Sequence, residues 1–146
     1  MVLVDTNILL YAVDEESPSH PAARTSIEDA LNGSRRVGIP WMSLTAFVRI
    51  STNPRALRSP LTSAAARELV EDWLDAPATG VPAPGRGHPD ILGRLIRGLD
   101  LRGHLVSDAV LAALCIEHGL SMISADSDFA RFTEVPWINP VAAGGA

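Results

Sequence analysis

The stretch MVLVDTN, residues 1–7, decides the fold, because a short apolar run ends there abruptly in polar residues. Val2, Leu3 and Val4 predict a buried β-strand, and Asp5 follows it directly. A carboxylate at the end of a buried strand has two ordinary explanations. It caps the helix that follows, or it lies in a functional crevice.

The composition indicates one globular domain. Of the 146 residues, 47% are hydrophobic and 20% are charged, and a chain of this length can bury a core without disulfides. We expect a domain over residues 1–141 and a loose tail over 142–146. Without a signal-peptide pattern, a membrane-length apolar run or a second cysteine, the sequence predicts a cytoplasmic protein.

The charge of the chain restricts its chemistry. The net charge is −5, so binding of nucleic acid would depend on local arginines or metal ions rather than on the overall field. All twelve basic residues are arginine. The absence of lysine excludes Schiff bases, the phosphate-binding P-loop and phosphoryl-transfer sites that require lysine.

Predicted strands alternate with predicted helices along the chain. Short apolar runs at 36–40, 121–125 and 137–139 are separated by stretches with helical periodicity, such as 41–51 and 107–118. This alternation predicts an α/β fold, a three-layer α/β/α sandwich with a short, mainly parallel central sheet.

Three carboxylates that lie far apart in the sequence are predicted to converge. Asp5 and Asp126 directly follow predicted strands, and Asp108 lies in the first turn of a helix that leads into the Asp126 strand. Ligands bind at the carboxyl ends of parallel strands, and a right-handed crossover would begin such a helix near the same edge.

Each carboxylate also has a local structural explanation. Asp5 can cap a helix, Asp108 can complement a helix dipole, and Asp126 can hold a turn. These explanations do not account for three acids at one edge, where like charges repel unless a cation lies between them. A hard cation such as Mg²⁺ suits oxygen donors, whereas the histidines are scattered and Cys115 has the pattern of a core residue.

Four stretches, in this order and at these distances, carry a resemblance to a known family. They are VDTNILLYA (4–12), PWMSLTAFVRISTNP (40–54), VSDAVLAAL (106–114) and SADSDFARF (124–132). Together they resemble the VapC toxins, which are PIN-domain ribonucleases of bacterial type II toxin–antitoxin pairs.

The resemblance implies a PIN-like fold and a metal-dependent endoribonuclease that hydrolyses RNA phosphodiester bonds with metal-activated water. Asp5, Asp108 and Asp126 match the family's metal-binding and catalytic acids, and Asp128 assists in holding the metal. The implied cofactor is Mg²⁺ or Mn²⁺. The implied partners are RNA, a cognate VapB-like antitoxin and a second copy of the chain, without a membrane.

Three further residues are candidates for supporting roles. Thr6 orients Asp5 or water, or makes an N-terminal hydrogen bond to the helix that follows. Asn7 holds a water or bonds the local backbone. Arg49 lies near the predicted site edge, where it contacts RNA phosphate or is simply solvated.

The sequence departs from the family pattern at one position. Family members often carry a glutamate in the helix after the second strand, where this chain has Ala46 or Phe47. Ser43, Thr45 and Glu16 are candidates to supply an oxygen in its place. The departure leaves the number of bound ions open.

Two other functions stay open at this point. A phosphatase with an aspartyl-phosphate intermediate would use an Asp-x-Asp pair, but this chain has Asn7 at the second position and no lysine. A catalytically weak or inactive PIN scaffold would bind RNA or antitoxin only. Trp41, Phe47 and Trp73 could form a partner surface, although we expect most of them in the core.

Overall fold

The computed structural model describes residues 1–142, so residues 143–146 of the predicted tail lie outside the described residues. One sheet of five strands has the order β3-β2-β1-β4-β5. The strands are β1 (Val2–Val4), β2 (Val37–Gly38), β3 (Thr79–Gly80), β4 (Ser121–Ile123) and β5 (Trp137–Ile138). Every strand pairing is parallel, which confirms the predicted parallel sheet.

Among the described residues, six α-helices connect these strands. They are α1 (Thr6–Val13), α2 (His20–Asn32), α3 (Trp41–Ser51), α4 (Ser63–Asp75), α5 (His88–Gly98) and α6 (His104–His118). A 3₁₀-helix follows β4 at Ser127–Arg131. Within residues 1–142, no helix combines the length and the apolar character needed to cross a membrane.

The two faces of the sheet are covered by two hydrophobic cores. Leu3 and Met122 belong to the core formed with α5 and α6, whereas Val4 and Ile123 belong to the core formed with α1 to α4. Successive residues of a strand point to opposite faces, so both faces of β1 and β4 are buried. The predicted three-layer α/β/α sandwich is therefore confirmed.

The three aromatic residues that were candidates for a partner surface separate into core and surface. The rings of Phe47 and Trp73 pack edge to face in the core, with centroids 4.8 Å apart. Trp41 is 57% exposed at the start of α3. The expectation that most of the three lie in the core is therefore confirmed, and Trp41 is the exception.

Two predicted boundaries near the acidic residues are wrong. Helix α6 begins at His104 rather than Ser107, because Gly103 enters it with φ +59° and ψ −135°, a conformation that glycine tolerates. Asp108 is thus the fifth residue of α6. It lies beyond the first turn, and the helix dipole stabilises a negative charge only within that turn. Strand β4 ends at Ile123, so Asp126 follows it after two intervening residues.

Gly119 ends α6 in the left-handed conformation, with φ +67° and ψ +40°. A Cβ there would meet no atom within 4 Å, so Gly119→Ala tests backbone strain alone. We expect a loss of about 1 kcal/mol in the free energy of unfolding, measured by urea denaturation. Gly93→Ala, inside α5 and equally free of contacts, is the control and should instead stabilise the protein. If both substitutions changed the free energy of unfolding in the same direction, this explanation would be contradicted.

Candidate metal centre

Acidic side chains meet at the carboxyl edge of the sheet. Asp5 follows β1, Asp126 and Asp128 follow β4, and Asp108 lies on α6. The charges of Asp126, Asp5 and Asp128 all act on Asp108, which shows that the four carboxylates lie close together. The sequence predicted the convergence of Asp5, Asp108 and Asp126 from the parallel topology, whereas Asp128 was expected there from the family resemblance.

Asp5 caps a helix and is also held by a residue that follows another strand. Its Oδ1 accepts a hydrogen bond of 2.7 Å from the N–H of Thr6, at the start of α1. Its Oδ2 accepts a hydrogen bond of 2.7 Å from the Ser124 hydroxyl. Burial raises the pKa of Asp5, the hydrogen bonds from Ser124 and Thr6 lower it, and the nearby charge of Asp126 raises it further. The residue is therefore both a helix cap and a buried member of the acidic group.

Ser124 links β1 to β4 and was missed by the sequence reasoning. Its fully buried hydroxyl donates to Asp5 and accepts hydrogen bonds from the Asn7 side chain and the N–H of Asp126. Asn7 also donates to Asp5 Oδ2 at 3.3 Å and accepts from the N–H of Ala125. Asn7 thus orients Asp5 and the chain after β4. The signal that could have identified Ser124 is its position, because it is a small hydroxyl residue directly after a strand and two residues before an acid.

Thr6 connects α1 to α3. Its hydroxyl donates to the carbonyl of Ser43 at 3.3 Å, and the hydroxyl of Ser43 donates to the carbonyl of Val4 at 2.9 Å. The Thr6 side chain therefore anchors the start of α3, while its main-chain N–H orients Asp5.

Asp108 carries the strongest electrostatic signal of the site. Its Oδ2 atom is buried and has no hydrogen-bond partner within the part of the chain that the structure describes. Burial, together with repulsion by Asp126, Asp5 and Asp128, raises the pKa of Asp108 to about 6. A buried carboxylate oxygen without a donor is costly unless a cation approaches it.

The two acids after β4 are held by the 3₁₀-helix. Asp126 caps it by accepting a hydrogen bond of 2.9 Å from the N–H of Asp128. Asp128 Oδ1 accepts a hydrogen bond of 3.1 Å from Arg131 Nη2. Asp128 Oδ2 lies 3.3 Å from Nε2 of His104.

His104 joins the acidic group, although the sequence reasoning treated it as a scattered histidine. One ligand atom each from His104, Asp108 and Asp128 lie within 4.8 Å of one another. His104 precedes Asp108 by four residues on α6, a spacing that places both on one helix face. This spacing was the missed signal, and the misplaced helix start concealed it.

Several candidates from the sequence do not join the acidic group. Thr45 donates its hydroxyl to the carbonyl of Trp41, and Phe47 is buried in the core. Glu16 lies exposed beyond the far end of α1, roughly 12 Å of helix away from Asp5. Arg49 is exposed in the last turn of α3, roughly 9 Å along the helix from Ser43.

The donor set suits a hard divalent cation. It consists of carboxylate oxygens, one of them buried without a partner, which repel one another in the absence of a positive charge. Mg²⁺ and similar ions take such oxygens together with waters. This acidic group could therefore hold a metal ion.

Ser124→Ala is expected to destabilise the protein by about 1–3 kcal/mol, because it leaves Asp5, Asn7 and the N–H of Asp126 without a shared partner. It should also raise the pKa of Asp5 further, since a hydrogen bond that lowers that pKa is lost. Urea denaturation measures the first effect and carboxyl NMR titration the second. Ser121→Ala in β4 is the control, and an equal loss there would refute a special role for Ser124.

Comparison with known proteins identifies the family of the chain. The PIN domain model matches residues 2–135. The chain is 44% identical over 142 residues to Ribonuclease VapC37 of Mycobacterium tuberculosis, covering 97% of this chain and 99% of that protein. It is 38% identical over 141 residues to Ribonuclease VapC33 of the same species, covering 97% and 99%.

The fold also has neighbours among solved structures. VapBC2 from Rickettsia felis, bound to a DNA fragment from its promoter, has a TM-score of 0.70 at 14% identity, covering 95% of this chain and 98% of that one. VapBC-1 from nontypeable Haemophilus influenzae has a TM-score of 0.68 at 17% identity, covering 95% and 98%. With its sequence matched over nearly its whole length and its parallel sheet shared with these structures, the chain belongs to the PIN domain family.

Proposed function

We propose that the protein is a metal-dependent endoribonuclease that acts as the toxin of a toxin–antitoxin pair. The observation that carries the proposal is the buried, unpartnered Oδ2 of Asp108 among four carboxylates at the edge of the sheet. The names of the mycobacterial relatives, each a ribonuclease, support RNA as the substrate.

Asp5, Asp108 and Asp126 would hold the metal, with Asp128 as a further ligand, and Mg²⁺ or Mn²⁺ would be the ion used. A bound divalent ion supplies Lewis-acid chemistry, which neutralises charge on a scissile phosphate and makes water a better nucleophile. The ion would also reconcile the net charge of −5 with a polyanionic substrate.

The residues of the chain contribute positioning and charge. Thr6, Asn7 and Ser124 fix the two oxygens of Asp5, and Arg131 fixes one oxygen of Asp128. Such fixed carboxylates need no rearrangement during the reaction, which lowers its barrier. A covalent intermediate on the protein is not required, which agrees with a buried Cys115 and a chain without lysine.

Contacts to the RNA and to protein partners extend the same proposal. Arg49 stays a predicted phosphate contact on the flank of the site. A cognate VapB-like antitoxin would inhibit the enzyme, and the active form would be a homodimer. Because bacterial RNA is cytoplasmic, the enzyme would act in the cytoplasm. Light scattering of the purified chain and of its complex would measure both assemblies.

The test is cleavage of total cellular RNA by antitoxin-free protein in Mg²⁺, Mn²⁺ or EDTA. Discrete products should form with either metal and disappear in EDTA and in Asp5→Asn. Asp72→Asn, an exposed acid on α4, is the matched control and should cleave like the wild type. Products that persist in EDTA, or that Asp5→Asn still generates, would refute the metal-dependent mechanism.

A second candidate function is a PIN scaffold that binds RNA or antitoxin without cleavage. The observation that favours it is the missing glutamate of α3, since the hydroxyls of Ser43 and Thr45 both bond main-chain carbonyls. Metal binding in calorimetry together with intact RNA across many substrates would support this candidate. An aspartyl-phosphatase is less well supported, because Asn7 orients Asp5 instead of supplying a second acid.

A further inference from the structure

The ligand atoms of His104, Asp108 and Asp128 form a compact group at the mouth of the acidic site. No two of these three atoms are more than 4.8 Å apart. Two ligands on opposite sides of an octahedral ion with bonds of 2.1 Å lie about 4.2 Å apart. A shift of well under 1 Å would therefore bring all three atoms onto one ion.

The surroundings leave these atoms free to make that shift. Arg131 occupies Oδ1 of Asp128, which leaves Oδ2 facing Nε2 of His104. The imidazole is 78% exposed, so its rotation meets little packing resistance. Gly103, with φ +59°, starts α6 early enough to place His104 one turn before Asp108 on the same face.

We propose that His104 is a nitrogen ligand of the metal held by Asp108 and Asp128, and that it makes the site favour a first-row transition ion such as Mn²⁺ over Mg²⁺. The inference rests on the metal centre of the proposed function and adds a ligand to it. Imidazole suits transition ions, whereas Mg²⁺ favours oxygen donors and retains its waters.

The competing explanation is a plain surface contact between His104 and Asp128. Such an exposed pair would contribute little to stability and would have no effect on the choice of metal. Because the two explanations differ in what coordinates the ion, direct detection of nitrogen at the metal separates them.

The experiment is electron paramagnetic resonance of Mn²⁺ on the untagged full chain in a nitrogen-free buffer, without RNA. Electron spin echo modulation should show one coordinated imidazole nitrogen in the wild type and in His118→Ala, and none in His104→Ala. His118 is the matched control because it lies at the other end of α6 and contacts the carbonyl of Ala83. Mn²⁺ affinity should fall about 10-fold in His104→Ala, with Mg²⁺ affinity changing less than about 3-fold.

Three outcomes would overturn the inference. Mn²⁺ bound to wild type without nitrogen modulation would remove His104 as a ligand but leave the carboxylate centre standing. Equal losses of Mg²⁺ and Mn²⁺ affinity in His104→Ala would remove the claimed metal preference. A folded wild type that binds no Mn²⁺ would overturn this inference and the proposed metal centre together, whereas a failure of RNA cleavage would not affect these measurements.

Discussion

Asp108→Asn is expected to lower RNA cleavage by at least about 100-fold while making the metal-free protein more stable. The loss of activity follows from the position of Asp108, whose charge faces Asp5, Asp126 and Asp128. Asparagine keeps the shape of the side chain but removes the negative charge that would hold a cation. Metal binding and cleavage should therefore fail together.

The gain in stability has the same electrostatic origin. At pH 7 the metal-free wild type holds a carboxylate whose pKa is raised to about 6 from 3.8, so the charged form is disfavoured by folding. After allowance for partial solvent exposure, removing the charge should stabilise the protein by about 1–2 kcal/mol. For a chain of this size the thermal midpoint in EDTA should rise by about 3–6 °C.

Calorimetry in EDTA and a cleavage assay with Mn²⁺ check the two halves of this prediction on the same samples. Asp72→Asn is the matched control, and neither its stability nor its activity should change beyond the spread of replicates. An Asp108→Asn variant that is destabilised in EDTA would show that the carboxylate stabilises the fold. The functional explanation would then lose its electrostatic support.

The second large effect is that the metal-free stability and the stabilisation added by the metal depend on pH in opposite directions. Because the folded pKa of Asp108 exceeds its unfolded value of 3.8, the metal-free stability due to this group is fully present below pH 4. It is lost as the pH rises through about 6. In the metal-free protein, this group therefore adds stability as the pH falls from 7 to 5.

The stabilisation added by the metal should show the opposite dependence. A cation binds the ionised carboxylate, and at pH 5 a group with a pKa of about 6 is roughly 90% protonated, so metal affinity should fall about 10-fold. Saturating metal at 100 times its Kd stabilises by about 2.7 kcal/mol, and a 10-fold weaker affinity removes roughly half of that.

Thermal unfolding at pH 5, 6 and 7.5, with and without Mn²⁺, measures both the metal-free stability and the stabilisation added by the metal. The stabilisation by Mn²⁺ should be largest at pH 7.5 and smallest at pH 5. In Asp108→Asn, the stabilisation by Mn²⁺ that remains should no longer fall as the pH is lowered through about 6. A wild type stabilised equally by Mn²⁺ at pH 5 and pH 7.5 would exclude Asp108 as a ligand.

Both predictions describe a site whose electrostatic repulsion lowers the stability of the metal-free protein. Four carboxylates at one sheet edge repel one another, and the Oδ2 atom of Asp108 has no donor within residues 1–142. Functional sites commonly carry such unfavourable electrostatics. A bound cation would turn the same repulsion into attraction.

The sequence by itself determined the architecture and the acids that meet. Short apolar strands between helical segments require a parallel sheet covered on both faces, as Leu3 and Val4 show by pointing into different cores. Parallel strands all end at one edge, so Asp5 and Asp126 had to approach each other. The helix Trp41–Ser51 also follows from its local periodicity.

Only the tertiary structure decided how those acids are held and which other residues join them. Ser124 reaches Asp5 across 119 positions of sequence, a contact that no local pattern encodes. His104 meets Asp128 because α6 begins three residues earlier than its periodicity indicates, directly after Gly103 with its positive φ. Side-chain contacts of this kind depend on packing between elements, whereas strand order and helix period depend on the chain itself.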